Sequence, residues 1–285
     1  MTRVRFVALG DSLTEGVGDP LGDGWRGWAA LLAAGLAEEP AEVTNLALGG
    51  AQTRDVAQRQ LPAPLALRPD VVSVVVGVNN TLRRAFDLGA ARLDTVYAAF
   101  TEQGALLLTA CLPDPGAMPG PAGAPARSPV RRQRVVNAVM HALSDRYGAV
   151  HLHACEGDSI TDRAIRTARY GARTGCTPAS GGHRQLAPRF HALLAASGDA
   201  TGPAPSPEND VPAPTRSASL WRPATAGTGW AARRCADLLP SLLTLAADEP
   251  RHHARGTSAR LDLRTSAAVS AALAALSTTK RPEAA

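Results

Sequence analysis

The run Val4-Arg-Phe-Val-Ala-Leu9-Gly10-Asp11-Ser12-Leu13-Thr14-Glu15-Gly16 decides the fold. Residues 4–9 are apolar but for one arginine and read as a buried β-strand. Gly10-Asp11-Ser12 breaks that run with turn formers, so the chain passes from strand into helix at Ser12. A strand ending in such a turn sets the Ser12 hydroxyl at the carboxyl edge of a parallel sheet, where open α/β folds bind their ligands. The turn also offers backbone N–H groups, so an oxyanion forming beside Ser12 would be held by the residue's own amide. Taken alone, Gly-Asp-Ser is equally compatible with a plain turn or an N-cap serine.

Outward from this segment, strand and helix patterns alternate over two-thirds of the chain, the mark of a parallel sheet covered by helices on both faces. Further strands are expected at residues 42–46, 71–76, 105–110 and 149–152. Helices are expected at 27–38, 53–67 with interruptions at Pro62 and Pro64, 88–103, 130–147 and 182–196. Arg131, Arg132 and Arg134 open the fourth of these and read as a solvated helix face.

After residue 197 the composition changes to Thr201-Gly-Pro-Ala-Pro-Ser-Pro, a linker-like run. We therefore expect a domain at 1–197 and, at 198–285, a Pro/Ala-rich linker and partly helical tail. The tail carries one amphipathic pattern at 231–247 and an Ala-rich stretch at 266–276 that fits a helix or a loose segment.

Two more segments bear on Ser12. Asn45-Leu-Ala-Leu-Gly-Gly50 follows the second strand and Gly77-Val-Asn79-Asn80 the third, so both fall at the sheet edge that carries Ser12. A glycine amide and an asparagine NH2 are the donor types an oxyanion hole requires.

With these three blocks in order, the chain resembles an SGNH hydrolase of the GDSL superfamily over roughly residues 3–197. The resemblance implies a three-layer α/β/α sandwich with a five-stranded parallel sheet, flavodoxin-like in arrangement. It also implies attack of serine on an ester or acyl carbonyl, with neither metal nor organic cofactor. Ser12 matches the family's nucleophile, with Asp11 as its neighbour, Gly50 the second-block glycine and Asn79 the third-block asparagine. Where the family has Asn-Asp, this chain has Asn79-Asn80, which keeps the donor and removes a carboxylate that orients the local loop.

The last block departs further. The family carries an Asp, two residues, and then the His that takes the serine proton. Here Pro178 and Gly182-His183-Arg184 are recognisable landmarks, but Thr174 and Thr177 stand at the acid and base positions. Neither threonine is a base near neutral pH. His183 is the obvious substitute base, with Asp158 and Asp162 as stand-ins for the acid, although in the family-like pattern this histidine starts the helix after the catalytic loop and is more often structural.

A one-base shift of reading frame is the expected source of the replacement. Asp-Arg-Leu-His-Pro written GAC CGG CTG CAC CCC and read one base late gives ACC GGC TGC ACC CC, or Thr-Gly-Cys-Thr-Pro, the sequence of residues 174–178. On this reading the shift begins after about Ile165 and is corrected before Gly182. Loss of a triad base costs several orders of magnitude in rate, so the expectation is an impaired ester hydrolase, or a small-molecule-binding protein on the same fold. A flavodoxin-like flavin binder shares the fold class alone.

Composition narrows the remaining classes. Hydrophobic residues make up 45% of the chain and charged residues 19%, which suits a globular domain. The net charge of +5 comes almost wholly from arginine, Lys280 being the one lysine, and aromatics are 4%. Basic clusters interleaved with stacking aromatics are therefore missing, and no nucleic-acid partner is expected. Cys111, Cys155, Cys176 and Cys235 show no CxxC spacing, so neither a disulfide framework nor a zinc site is expected. His151-Leu-His153-Ala-Cys155 alternates on a strand and could turn three ligands to one face, but it reads as core and turn. The apolar N-terminal run is too short for a signal peptide and no stretch is long enough to span a membrane, so the protein is expected in the cytoplasm with a small-molecule ester as partner.

Overall fold

Phe6, Val7, Ala8 and Leu9 are all buried, as a parallel strand covered on both faces must be. The computed structural model describes residues 3–21, 24–83, 86–87, 89–112, 127–154, 180–206, 244, 251–252 and 254–278. In chain order its elements are β1 (Arg5–Gly10), α1 (Ser12–Glu15), β2 (Pro20–Leu21), β3 (Gly24–Trp25), α2 (Gly27–Ala33), β4 (Glu42–Asn45), α3 (Thr53–Asp55), a π-helical turn (Val56–Gln60), α4 (Pro62–Leu67) and β5 (Val71–Val75). After these come α5 (Val78–Thr81), α6 (Ala90–Thr101), β6 (Leu106–Ala110), α7 (Arg127–Tyr147), β7 (Val150–Leu152), α8 (Ser180–Ser197) and α9 (Ser258–Thr278).

Five strands form one parallel sheet in the order β4-β1-β5-β6-β7, with β2 and β3 as a separate antiparallel pair. Helices flank the sheet, giving the three-layer α/β/α architecture expected. One layer joins α2 to α8, where Trp28 stacks on Phe190 at 4.9 Å between ring centroids. The other joins α6, α7 and α9. Each expected strand is present within a residue or two; β1, β5 and β6 are mainly β-branched or aliphatic runs bounded by turn formers, while the edge strands β4 (Glu-Val-Thr-Asn) and β7 (Val-His-Leu) are more polar.

Helix ends differ from expectation where tertiary contacts intervene. The helix expected to reach residue 38 stops at Ala33, because residues past it turn to meet the segment at 200–206. Thr201 N–H donates to the Leu36 carbonyl at 3.1 Å, and His191 Nε2 lies 3.1 Å from the carbonyls of both Gly35 and Gly202. The arginines at the start of α7 are also more engaged than a solvated face would be. Arg131 pairs with Asp262 of α9, while Arg132 donates to the carbonyls of Thr81 and Arg83 and lies over the Phe86 ring. Arg134 is exposed as expected.

Of the tail, the stretch at 266–276 is helical within α9, and Leu276 is buried in the main core. The pattern expected at 231–247 falls outside the described residues save for Thr244. Among the described residues no helix is long and apolar enough to cross a membrane.

Candidate active site

Gly10 ends β1 at φ +151°, and a Cβ there would come within 2.2 Å of the Val75 carbonyl oxygen on the neighbouring strand. Only glycine lets the chain turn here while the two strands stay paired. Asp11 then caps α1, its Oδ1 accepting from Leu13 N–H at 3.1 Å. Ser12 is the first helical residue and is buried. Its N–H belongs to the first turn, where the helix supplies no acceptor.

A second element pins this turn. Gln60, at the end of the π-helical turn, accepts from Gly10 N–H and donates to the Gly10 carbonyl, each at 2.9 Å. The amide thus satisfies both backbone groups of a buried glycine at the strand end. Asn45, at the end of β4, donates to the Thr14 carbonyl at 2.8 Å and accepts from Ala47 N–H at 3.1 Å. This ties the loop carrying Gly50 to the helix carrying Ser12. Gly50 itself adopts φ +93°, a left-handed conformation natural to glycine.

The third block closes the arrangement. Asn79 Nδ2 donates to the Ala51 carbonyl at 3.0 Å and to Asp11 Oδ2 at 3.3 Å, and the side chain is buried. Ser12, the Gly50 loop and Asn79 are therefore linked through their immediate neighbours at one end of the sheet. Asn80 is buried as well. Its Oδ1 accepts from Thr53 N–H at 3.1 Å, while its Nδ2 donates to Thr53 Oγ1 and to the Asp87 carbonyl, both at 3.0 Å. The loop expected to lose precision without a carboxylate is instead held by an amide that uses both its acceptor and its donors.

His183 lies in α8, fully buried, with Nε2 3.2 Å from the Val17 carbonyl. Since a carbonyl can only accept, Nε2 carries the proton and Nδ1 the lone pair; Nδ1 has no hydrogen-bond partner among the described residues. Burial pushes the imidazole below its ordinary value of 6.5, against the opposing pull of the Val17 bond and of Asp19. Asp19 is itself engaged by Arg26 through bonds of 3.0 and 3.2 Å. Thr174, Thr177, Asp158 and Asp162 lie outside the described residues.

Sequence reasoning missed Gln60, whose role is invisible because an isolated helical glutamine gives no sign of a partner 50 residues away. For Asn45 and Asn80 the motif runs were noticed, but the groups their side chains hold were not.

Known structures share the fold. An acetylxylan esterase from Geobacillus stearothermophilus, Axe2, superposes with a TM-score of 0.54 at 18% identity, over 67% of this chain and 94% of that one. LAE5, an α/β hydrolase enzyme from the metagenome of Lake Arreo, Spain, superposes with a TM-score of 0.52 at 23% identity, over 69% of this chain and 95% of that one. A search of curated proteins finds no match. Residues 8–184, which run from β1 through the buried His183, match the GDSL-like Lipase/Acylhydrolase family, and the chain belongs to that family.

Proposed function

We propose that this protein is a GDSL-type serine ester hydrolase in which Ser12 is the nucleophile and Ser12 N–H, Gly50 N–H and Asn79 form the oxyanion hole. The observation that carries the reading is the Asn79 bridge to Asp11 and Ala51, which holds all three blocks against one another. Ser12 Oγ attacks the ester carbonyl carbon, the C=O electrons move onto the oxygen, and the oxyanion is met by the amide donors. Collapse expels the alcohol and leaves an acyl-serine, which water then hydrolyses. The oxyanion competes for Asn79 Nδ2 with Asp11, whose bond is the longer of the two Nδ2 makes and so the easier to exchange.

Proton transfer is the weak step. With Thr174 and Thr177 at the family's acid and base positions, the serine proton passes to water, and both acylation and deacylation are slow. His183 suits a structural role better than that of a base, since the ring is fully buried in α8 and its hydrogen bond ties that helix to the Val17 carbonyl. The reading takes a small ester as substrate and the cytoplasm as location. Acetyl esters are the first to try, given the acetylxylan esterase among the structural neighbours.

The prior engagement of Asn79 also favours a second reading, a small-molecule-binding protein that keeps the pocket without turnover. A fluorophosphonate probe separates the two. Labelling that disappears in Ser12→Ala supports the hydrolase; ligand binding with no labelling supports the binding protein.

A further inference from the structure

Three imidazoles and a thiol converge on one side of the sheet, away from Ser12. Cys111 comes directly after β6, His151 lies in β7 with His153 just beyond it, and His141 projects from α7. In the sheet order, β5 and β6 separate β7 from β1. The His151 and His153 positions fall on one face of the edge strand, as alternation requires. Their rings lie 4.9 Å apart, and the His141 ring lies 4.4 Å from His151 and 4.9 Å from His153. The ligand atoms of Cys111, His141 and His151 all fall within 4.8 Å of one another.

A hydroxyl chain fixes the tautomer of His151. Ser144 Oγ donates to the Met140 carbonyl at 2.6 Å. Having spent its proton there, Ser144 accepts from Thr109 Oγ1 at 2.7 Å. Thr109 in turn can only accept from His151 Nδ1, at 2.8 Å, with Ser144 Oγ also 3.0 Å from that nitrogen. His151 therefore carries its proton on Nδ1 and its lone pair on Nε2, and Nε2 is buried with no hydrogen-bond partner among the described residues. Orientation of one ring nitrogen by an outer hydrogen bond, with the other left to donate electrons, is how proteins hold metal-binding histidines.

We propose that Cys111, His141 and His151, with His153 completing the set, bind a divalent cation of the zinc class. A tetrahedral zinc ion brings its nitrogen and sulfur ligands to about 3.3–3.6 Å from one another, so the three need close by only about 1 Å, within the reach of side-chain rotation. One thiolate and several imidazoles select zinc and its neighbours over magnesium or calcium, which prefer oxygen. His153 is exposed and His141 half-buried, giving the ion a way in from solvent. The ion would staple the edge strand β7 to α7 and β6, a structural role independent of ester chemistry at Ser12.

The test is metal binding by the full-length reduced protein, stripped with chelator and then titrated with zinc against a chromophoric competitor, and separately with cobalt. One zinc per chain is expected, and cobalt should give tetrahedral d–d bands with a thiolate-to-metal charge-transfer band. Cys111→Ser should abolish the charge-transfer band, and His141→Gln and His151→Gln should each weaken zinc binding more than about tenfold. Because Cys111→Ser alters a buried site, His141→Gln, on a half-buried helix position, carries the decision if that variant fails to fold. No stoichiometric zinc in the folded protein, or binding unchanged in His141→Gln, would overturn the proposal. Loss of esterase activity in Ser12→Ala with zinc still bound would leave it standing.

Discussion

Asn79 Nδ2 reaches Asp11 Oδ2 across 3.3 Å, joining buried residues 68 apart in sequence beside Ser12. The same nitrogen holds the Ala51 carbonyl, so one side chain ties together the Ser12 turn, the loop after Gly50 and Asn79 itself. Asn79→Ala removes a donor from a buried carboxylate and from a carbonyl, at a cost of about 1–3 kcal/mol in urea unfolding. In an ester-cleavage assay it should also lower kcat by about 100- to 1000-fold, the size of a lost oxyanion donor. An unchanged kcat in a folded variant would remove Asn79 from the oxyanion hole.

Gln60 hydrogen-bonds both backbone groups of Gly10, two residues before Ser12. Gln60→Leu should therefore cost about 1–3 kcal/mol, since the buried Gly10 N–H loses its side-chain acceptor while the Gly10 carbonyl keeps the Leu48 N–H at 3.2 Å. Gln60→Glu keeps the acceptor for Gly10 N–H but loses the donor, and should fall between the two in thermal unfolding. Equal stability of all three forms would show that the clamp contributes nothing.

Asn80 occupies a place where the family usually has aspartate, and its Nδ2 donates to the Asp87 carbonyl at 3.0 Å. Asn80→Asp sets a carboxylate against that carbonyl and should destabilise the fold by about 1–3 kcal/mol, although it restores the family's residue. A gain in stability would mean that the loop rearranges around the new charge.

His183 supplies a pH signature. Its folded-state value is lowered below 6.5 chiefly by burial. Above 6.5 the ring is neutral folded and unfolded, and contributes no pH dependence. As pH falls through 6.5 the unfolded chain takes up a proton that the folded chain refuses, so stability declines towards the lower folded value. Asp19 and Arg26, which face the ring, pull in opposite directions. The urea midpoint should drop between about pH 7 and pH 5, and drop less in His183→Gln. If the two proteins lose stability in parallel, His183 is not buried neutral.

The missing base yields a gain-of-function test. Introducing Thr174→Asp and Thr177→His together should raise ester turnover by several orders of magnitude, as expected on regaining a general base and its orienting acid. Sequencing the gene across the codons for residues 160–184 is the companion experiment. A displaced base there would restore the acid and base directly, whereas a confirmed sequence would leave the threonines as genuine replacements.

The sequence by itself determined the layered α/β architecture, the five strands and the three turns that carry Ser12, Gly50 and Asn79. These are local: a strand needs a short apolar run, and a strand-end turn needs glycine or a small polar residue, so each is written within a few neighbouring positions. Tertiary structure alone decided which amides hold the turns. Gln60 finds Gly10, Asn80 finds Thr53 and Asp87, and the helix after Gly27 stops at Ala33 because residues 200–206 pack against the chain just beyond it. It also gathered Cys111 and His141 beside His151, which the sequence had shown only in an alternating run with His153 and Cys155. Such partners are long-range, and a side chain's hydrogen-bonding or ligating role depends on a neighbour that is specified only once the chain has folded.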